Sequence, residues 1–176
     1  MPSFRGLQPS LRGAQRGRPA QVDAKRIHIP VARAMVDCAI YVDGERLPGK
    51  YTHSAALAKV RELEENGQRA FLWLGLHEPD EHQMGAVADT FGLHPIAVED
   101  AVHAHQRPKV ERFDDSLFLV LKTVKFVPHD SMALARQIVE TGEIMVFVGA
   151  DFVVTVRHGD HTGLAGLRHH LEDEKT

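Results

Sequence analysis

The apolar residues of this chain come in runs too short to cross a membrane and of the right length for strands. The longest, such as "LFLVL" (117–121) and "IMVFV" (144–148), hold five residues, against the roughly 18 or more that a transmembrane helix needs. Between such runs lie segments whose apolar residues recur at helical spacing. Strand-length runs alternating with amphipathic helices, within 176 residues, specify one domain that mixes sheet and helix. The N-terminus has arginines but no apolar h-region, so no signal peptide is expected.

The elements follow from local chemistry. "MVDCAIYV" from Met35 reads as a strand, and Asp43-Gly44 is a hairpin turn signal into the short return "ERLPGKY", where Pro48 marks an edge or an end. In "HSAALAKVRELEENG", Ser54 is the expected N-cap, Leu57, Val60 and Leu63 share a face, and Gly67 suits C′. "RAFLWLGL" (69–76) is apolar on both parities, as in a central strand covered on both sides. Asp80 should cap a second helix, with Gln83 completing a capping box and Gly92 ending it. Pro95 fits the first position of a third helix over 95–104, with Ile96, Ala97 and Ala101 inward, broken by Arg107-Pro108. "KVERF" alternates and "DDS" turns. "LFLVLKTVKFV" (117–127) reads as a long strand with cations on one face toward its end, and "PHDSM" as a loop. "LARQIVETGEIMVFV" holds one or two strands, and "GAD" (149–151) turns into "FVVTVRH". A last helix carries Leu164, Leu167 and Leu171 on one side. The order β-β-α-β-α-α-β-β-β-β-α, with several hairpins and one crossover, predicts an α/β (α+β) fold: three layers, α/β/α, around a mixed, largely antiparallel sheet.

Charge divides the chain. Residues 1–33 hold seven Lys/Arg and one acid, a balance of +6; the remainder holds 14 basic and 23 acidic residues, a balance of −9. The first segment, rich in Gly and Pro without apolar periodicity, is expected to be a disordered basic arm, and 34–176 the folded domain. No aromatic is interleaved with the arm's cations, as a single-strand binder would want, so no nucleic-acid partner is expected.

Candidate chemistry is sparse. "HEPDEH" (77–82) resembles a stretched H-E-x-x-H, but a spacing of five puts the histidines about 140° apart on a helix, and Pro79 interrupts it. A loop leading to the Asp80 cap is the better reading. The single cysteine, Cys38, excludes an internal disulfide and sits mid-strand, where a buried, unreactive thiol is expected. No nucleophile elbow or glycine-rich phosphate loop is present, so the chain does not read as an enzyme. Twelve histidines lack standard zinc spacing and read as surface residues. Glu99 and Asp100 stand out. Neighbours on a helix point about 100° apart, so both cannot face one core, and at least one must meet solvent or a partner. A solvated face, paired to Arg107 or Lys109, is one reading. A hard-cation site is the other, because Mg²⁺ keeps much of its water and takes one or two carboxylates.

The string "FGLHPIAVEDAVHAHQRPKVERFDDSLFLVLK" (91–122) resembles the signature of the cytosolic domain of CorA-type magnesium transporters. "FLWLGLHEPDEHQM" and "EIMVFVGADFVVTVR" resemble its flanking strands, so the likeness covers roughly 35–172. Gly75 departs from it, where that family often carries an acid. The resemblance implies a CorA soluble-domain-like fold: helices on both sides of a mixed sheet, in the wall of a cytoplasmic funnel. It implies a homopentamer in a plasma (inner) membrane whose stalk and two spans are expected beyond Thr176. It also implies that Glu99 and Asp100 bind regulatory Mg²⁺ together with carboxylates of a neighbouring subunit, so that only half of each site lies here. On that reading the chain senses divalent cations (Mg²⁺, Co²⁺) and gates a channel. The isolated chain is expected to bind Mg²⁺ weakly and to be monomeric or dimeric. A zinc- or cobalt-transporting relative is the second reading, prompted by the histidines. A metal-dependent hydrolase or stand-alone interaction module is the third.

Overall fold

The computed structural model of the protein describes residues 30–126, 139–160 and 163–173. Strands β1 (Met35–Val42) and β2 (Glu45–Leu47) precede helix α1 (His53–Glu65) and strand β3 (Ala70–His77). Helices α2 (Glu81–Phe91) and α3 (Pro95–Val102) follow. Strands β4 (Lys109–Phe113), β5 (Ser116–Phe126), β6 (Val139–Val148) and β7 (Phe152–His158) come next, then helix α4 (Ala165–Asp173). The order is the expected one. The strands form one seven-stranded sheet, β2-β1-β3-β7-β6-β5-β4. Among the described residues, β3 with β7 is the parallel pair and the other pairs are antiparallel.

Side-chain parity places the core. Register aligns Ile40 with Leu72, Leu72 with Phe152, Leu74 with Val154, Phe147 with Val154 and Phe118 with Phe147. These residues share one sheet face, and α1, α2 and α3 cover it through Leu57, Val60, Met84, Val87, Ala97 and Ala101. Each Leu or Val so buried contributes roughly 1.5–3 kcal/mol. The opposite face is covered by α4 through polar groups. The Arg168 guanidinium lies 4.3 Å from the centre of the Trp73 ring and pairs with Asp37. The Tyr41 hydroxyl donates to Glu172 at 2.7 Å.

Several local expectations hold. Asp43 and Gly44 both take positive φ, 51° and 88°, in a two-residue turn that matches the right-handed twist of the strands. Asp80 accepts from Gln83 N at 2.7 Å and Gln83 Oε1 accepts from Asp80 N at 3.0 Å, closing the capping box. Gly92 ends α2 at φ 65°. Gly67 N bonds Glu64 O and Gln68 N bonds Leu63 O, the paired bonds of a Schellman end. Cys38 is buried, and burial, with a smaller push from Asp37, raises its thiol to about 11.

Other expectations are corrected. Thr52, not Ser54, caps α1: its hydroxyl accepts from Ala55 N, while Ser54 is already helical. The preceding His53 is drawn into the first turn against Phe91. The return strand is shorter than "ERLPGKY", spanning Glu45–Leu47, and Pro48 marks its end as expected. Phe71 of β3 stays 37% exposed, so the central strand has one fully apolar cover, not two. Helix α3 ends at Val102, not at 104. Ile96 is 57% exposed, because the inward stripe of so short a helix is Ala97 and Ala101, and Ile96 is rotated about 100° from it. Lys122 and Lys125 lie three apart in β5, hence on opposite faces. Leu167 and Leu171 point outward and Arg168 is the buried residue of α4, since the sheet beneath offers Asp37 and Trp73. Of the arm expected over 1–33, residues 1–29 lie outside the described residues. Residues Val31–Arg33 form a 3-10 turn, tied by Pro30 O accepting from Gln83 Nε2. The loop expected at 128–132 also lies outside the described residues.

Candidate metal half-site on the third helix

Helix α3 is positioned from its N-terminus by His94. The imidazole Nδ1 accepts from Ile96 N at 3.3 Å, filling the role of a capping side chain. Its ring stacks on Phe113 at 4.3 Å, which ties the helix start to β4. Pro95 follows at the first helical position, where its missing N–H costs nothing. Ala97 and Ala101 then seat the helix on the core; their small side chains let its backbone approach the sheet.

That seating separates the two acids. Asp100 turns toward β4, where Lys109 Nζ donates to its Oδ2 at 2.7 Å. Lys109 also lies 2.8 Å from Glu111 Oε2 and over the Phe118 ring. Hydrogen bonds from the ammonium to Asp100 and Glu111 hold its pKa above the ordinary lysine value. Of the two cations expected to anchor this turn, Lys109 does so and Arg107 is exposed. Glu99 is exposed on the other side. It lines a groove between α2 and α3 of about 450 Å³ with Glu81, Asp89 and His103, over Gly85 and Val98. The acids therefore present one open carboxylate and one held by an ammonium. Among the described residues, no three of His, Cys, Asp or Glu converge as a metal cluster. A hydrated divalent ion fits what is present, because Mg²⁺ accepts one or two carboxylates and retains water.

The histidines do other work. His103 caps α3, its Nδ1 3.0 Å from Glu99 O. His105 sits at φ 80°, and its N–H donates to Glu143 at 2.6 Å. His169 faces Asp173 across one helical turn at 3.2 Å. His77 ends β3 and His82 lies in the first turn of α2, so "HEPDEH" is a strand end, a loop and a cap.

Sequence reasoning missed the buried Glu143, the half-buried His158 and the inward parity of the more exposed Lys122. The signal was available. Each extends by two residues an inward apolar series on its strand: Phe118–Val120, Phe147–Met145 and Val154–Val156. A charged residue at the next inward parity has to find a partner.

The family described as "CorA-like Mg2+ transporter protein" matches residues 68–176. YfjQ of Bacillus subtilis, whose name describes a metal ion transporter, is 31% identical over 102 residues, 58% of this chain and 29% of its own length. The cobalt/magnesium transport protein CorA of Thermotoga maritima is 48% identical over 48 residues, 27% of this chain and 13% of its own. The full-length CmaX structure superposes with a TM-score of 0.57 at 19% identity, covering 80% of this chain and 39% of that one, which supports the fold. This chain spans less than a third of those two transporters' lengths. No helix among the described residues is long and apolar enough to cross a membrane. The chain belongs to the CorA-like Mg²⁺ transporter family.

Proposed function

We propose that this chain is a cytosolic regulatory domain that senses Mg²⁺ and gates a CorA-type divalent-cation channel in the inner membrane. The family is one of transporters rather than enzymes. The observation that carries the proposal is the divergence of the α3 acids: Glu99 is open in a groove while Asp100 is held half-buried beside it. An open carboxylate on a domain of net negative body charge is half of a clamp. Facing a carboxylate of a neighbouring subunit in a homopentamer, it repels. Two unit charges at 4 Å interact by about 4 kcal/mol at an effective dielectric near 20. A hydrated Mg²⁺ between them reverses the sign. Switching a two-state assembly from 1:99 to 99:1 takes about 5.5 kcal/mol of differential binding, within reach of five weak sites acting together. The Co²⁺ reading shares this chemistry.

Limited proteolysis of the full-length protein with and without millimolar Mg²⁺ tests the proposal. Protection by Mg²⁺ should be lost in Glu99→Gln and reduced in Asp100→Asn. Equal cleavage in all samples would overturn it. A zinc-transporting relative is the second reading, favoured by His103 in the same groove as Glu99. Micromolar Zn²⁺ affinity abolished by His103→Ala, measured by calorimetry, would select it over Mg²⁺ sensing.

A further inference from the structure

Three polar side chains on neighbouring strands lie in line beneath the C-terminal end of α3, and the acid pair does not use them directly. Register places Lys122 of β5 opposite Glu143 of β6, and Glu143 opposite His158 of β7. Each has a partner. Lys122 Nζ donates to Glu143 Oε1. Glu143, only 4% exposed, accepts the N–H of His105 at 2.6 Å and that of Gln106 at 3.2 Å. His158 Nε2 lies 2.9 Å from the carbonyl oxygen of Ala101 and donates to it.

The ladder thus holds α3 on both sides of its end, by a carbonyl before it and two amides after it. Helix α3 has eight residues, about two turns, and a helix so short does not hold itself in water. Its buried anchors are two alanines. A buried ion pair is weak as a source of stability, and well-packed apolar residues often do as well. What Glu143 supplies that an apolar residue cannot is acceptance of two backbone amides at one place, which fixes where the chain turns.

Glu99 and Asp100 lie within two residues of Ala101. We infer that the Lys122–Glu143–His158 ladder is the positioning element of the acid pair: it fixes the end of α3, sets how Glu99 is presented to the groove, and so tunes cation affinity. This rests on the reading of Glu99 and Asp100 as cation ligands. The three ladder residues touch the chain around the acids, not the ion.

NMR amide exchange and Mg²⁺ calorimetry on wild type, Glu143→Gln, His158→Phe and His158→Gln test it, with Glu99→Gln and Asp100→Asn as controls for the acid pair. In Glu143→Gln and His158→Phe the amides of residues 103–106 should exchange about tenfold faster, with Leu74 and Val154 unchanged. Mg²⁺ affinity should fall roughly 2- to 30-fold, the range for residues coupled to a site without touching the ligand. His158→Gln, which keeps a side-chain donor, should restore both readouts toward wild type. Unchanged exchange at 103–106 overturns the ladder's role. So does faster exchange with unaltered Mg²⁺ affinity. Wild-type Mg²⁺ binding in both acid controls instead removes the acid-pair reading, and the exchange data still decide whether the ladder docks α3.

Discussion

At the scale of single residues, the contest is between Lys109 and a metal for Asp100. The ammonium lies 2.7 Å from the carboxylate, and its raised pKa keeps it charged throughout the neutral range. A cation reaching Asp100 must displace it. Lys109→Met should therefore strengthen Mg²⁺ binding about fivefold, the equivalent of roughly 1 kcal/mol for a partly exposed pair. Calorimetry checks this, and weaker binding would contradict it. Glu143 sets a pH signature. Burial alone would raise its pKa, but Lys122 and the two backbone N–H groups outweigh that and hold it below its ordinary value. The folded state then binds fewer protons than the unfolded one in mildly acidic solution. The stabilisation is complete above the ordinary carboxylate range and is lost as pH falls through the folded value. Wild type should exceed Glu143→Gln by about 2 kcal/mol at pH 7, and the gap should narrow in acid, as pH falls below the ordinary carboxylate range. Urea unfolding under both conditions checks it; a gap that widens in acid would contradict it.

At the scale of elements, both ends of α2 were readable, the start of α1 and the end of α3 were not, and helix faces were not always. The α2 capping box is a local pattern, and it formed as read because Asp80 and Gln83 need nothing from the rest of the chain. Asp80→Ala should cost about 1 kcal/mol, seen as a lower urea midpoint with an unchanged slope. Helix α4 shows the opposite. Its leucines recur on one side, yet the residue it buries is Arg168, because the sheet face it meets carries Asp37 and Trp73. That face lies on strands more than ninety residues earlier, and no window of local sequence contains it. Trp73 is the only tryptophan in the chain, so its fluorescence reports this contact. Arg168→Ala should shift its emission to longer wavelength as α4 loosens, with the cooperative unfolding of the core retained. Unaltered emission would show that the guanidinium does not shield the ring.

At the scale of the molecule, one sheet face carries the stability. Leu74 is fully buried between α1–α2 and the neighbouring strands, and Leu74→Ala should destabilise the whole domain by about 3 kcal/mol in a single transition. Two separated transitions would show that the sheet does not fold as one unit. The other face is polar where α4 crosses it, and it leaves Val110 and Leu121 67% and 46% exposed.

What the sequence by itself determined is what depends on neighbours in the chain: the order of elements, the Asp43-Gly44 turn, the capping box, the proline at the start of α3, and the motif around Glu99 and Asp100. Propensity, capping and period act within a few residues, so a string of letters contains them. Only the tertiary structure decided where the acids point and what holds them. Asp100 meets Lys109 because β4 returns beside α3. Glu143 meets Lys122 and lies beside His158 because three strands align in register, and the turn after α3 brings the amides of His105 and Gln106 onto it. Those pairings span nine residues at the least and dozens at the most. They are fixed by the packing of two alanines and a stacked histidine against the sheet, a long-range geometry that no local pattern encodes.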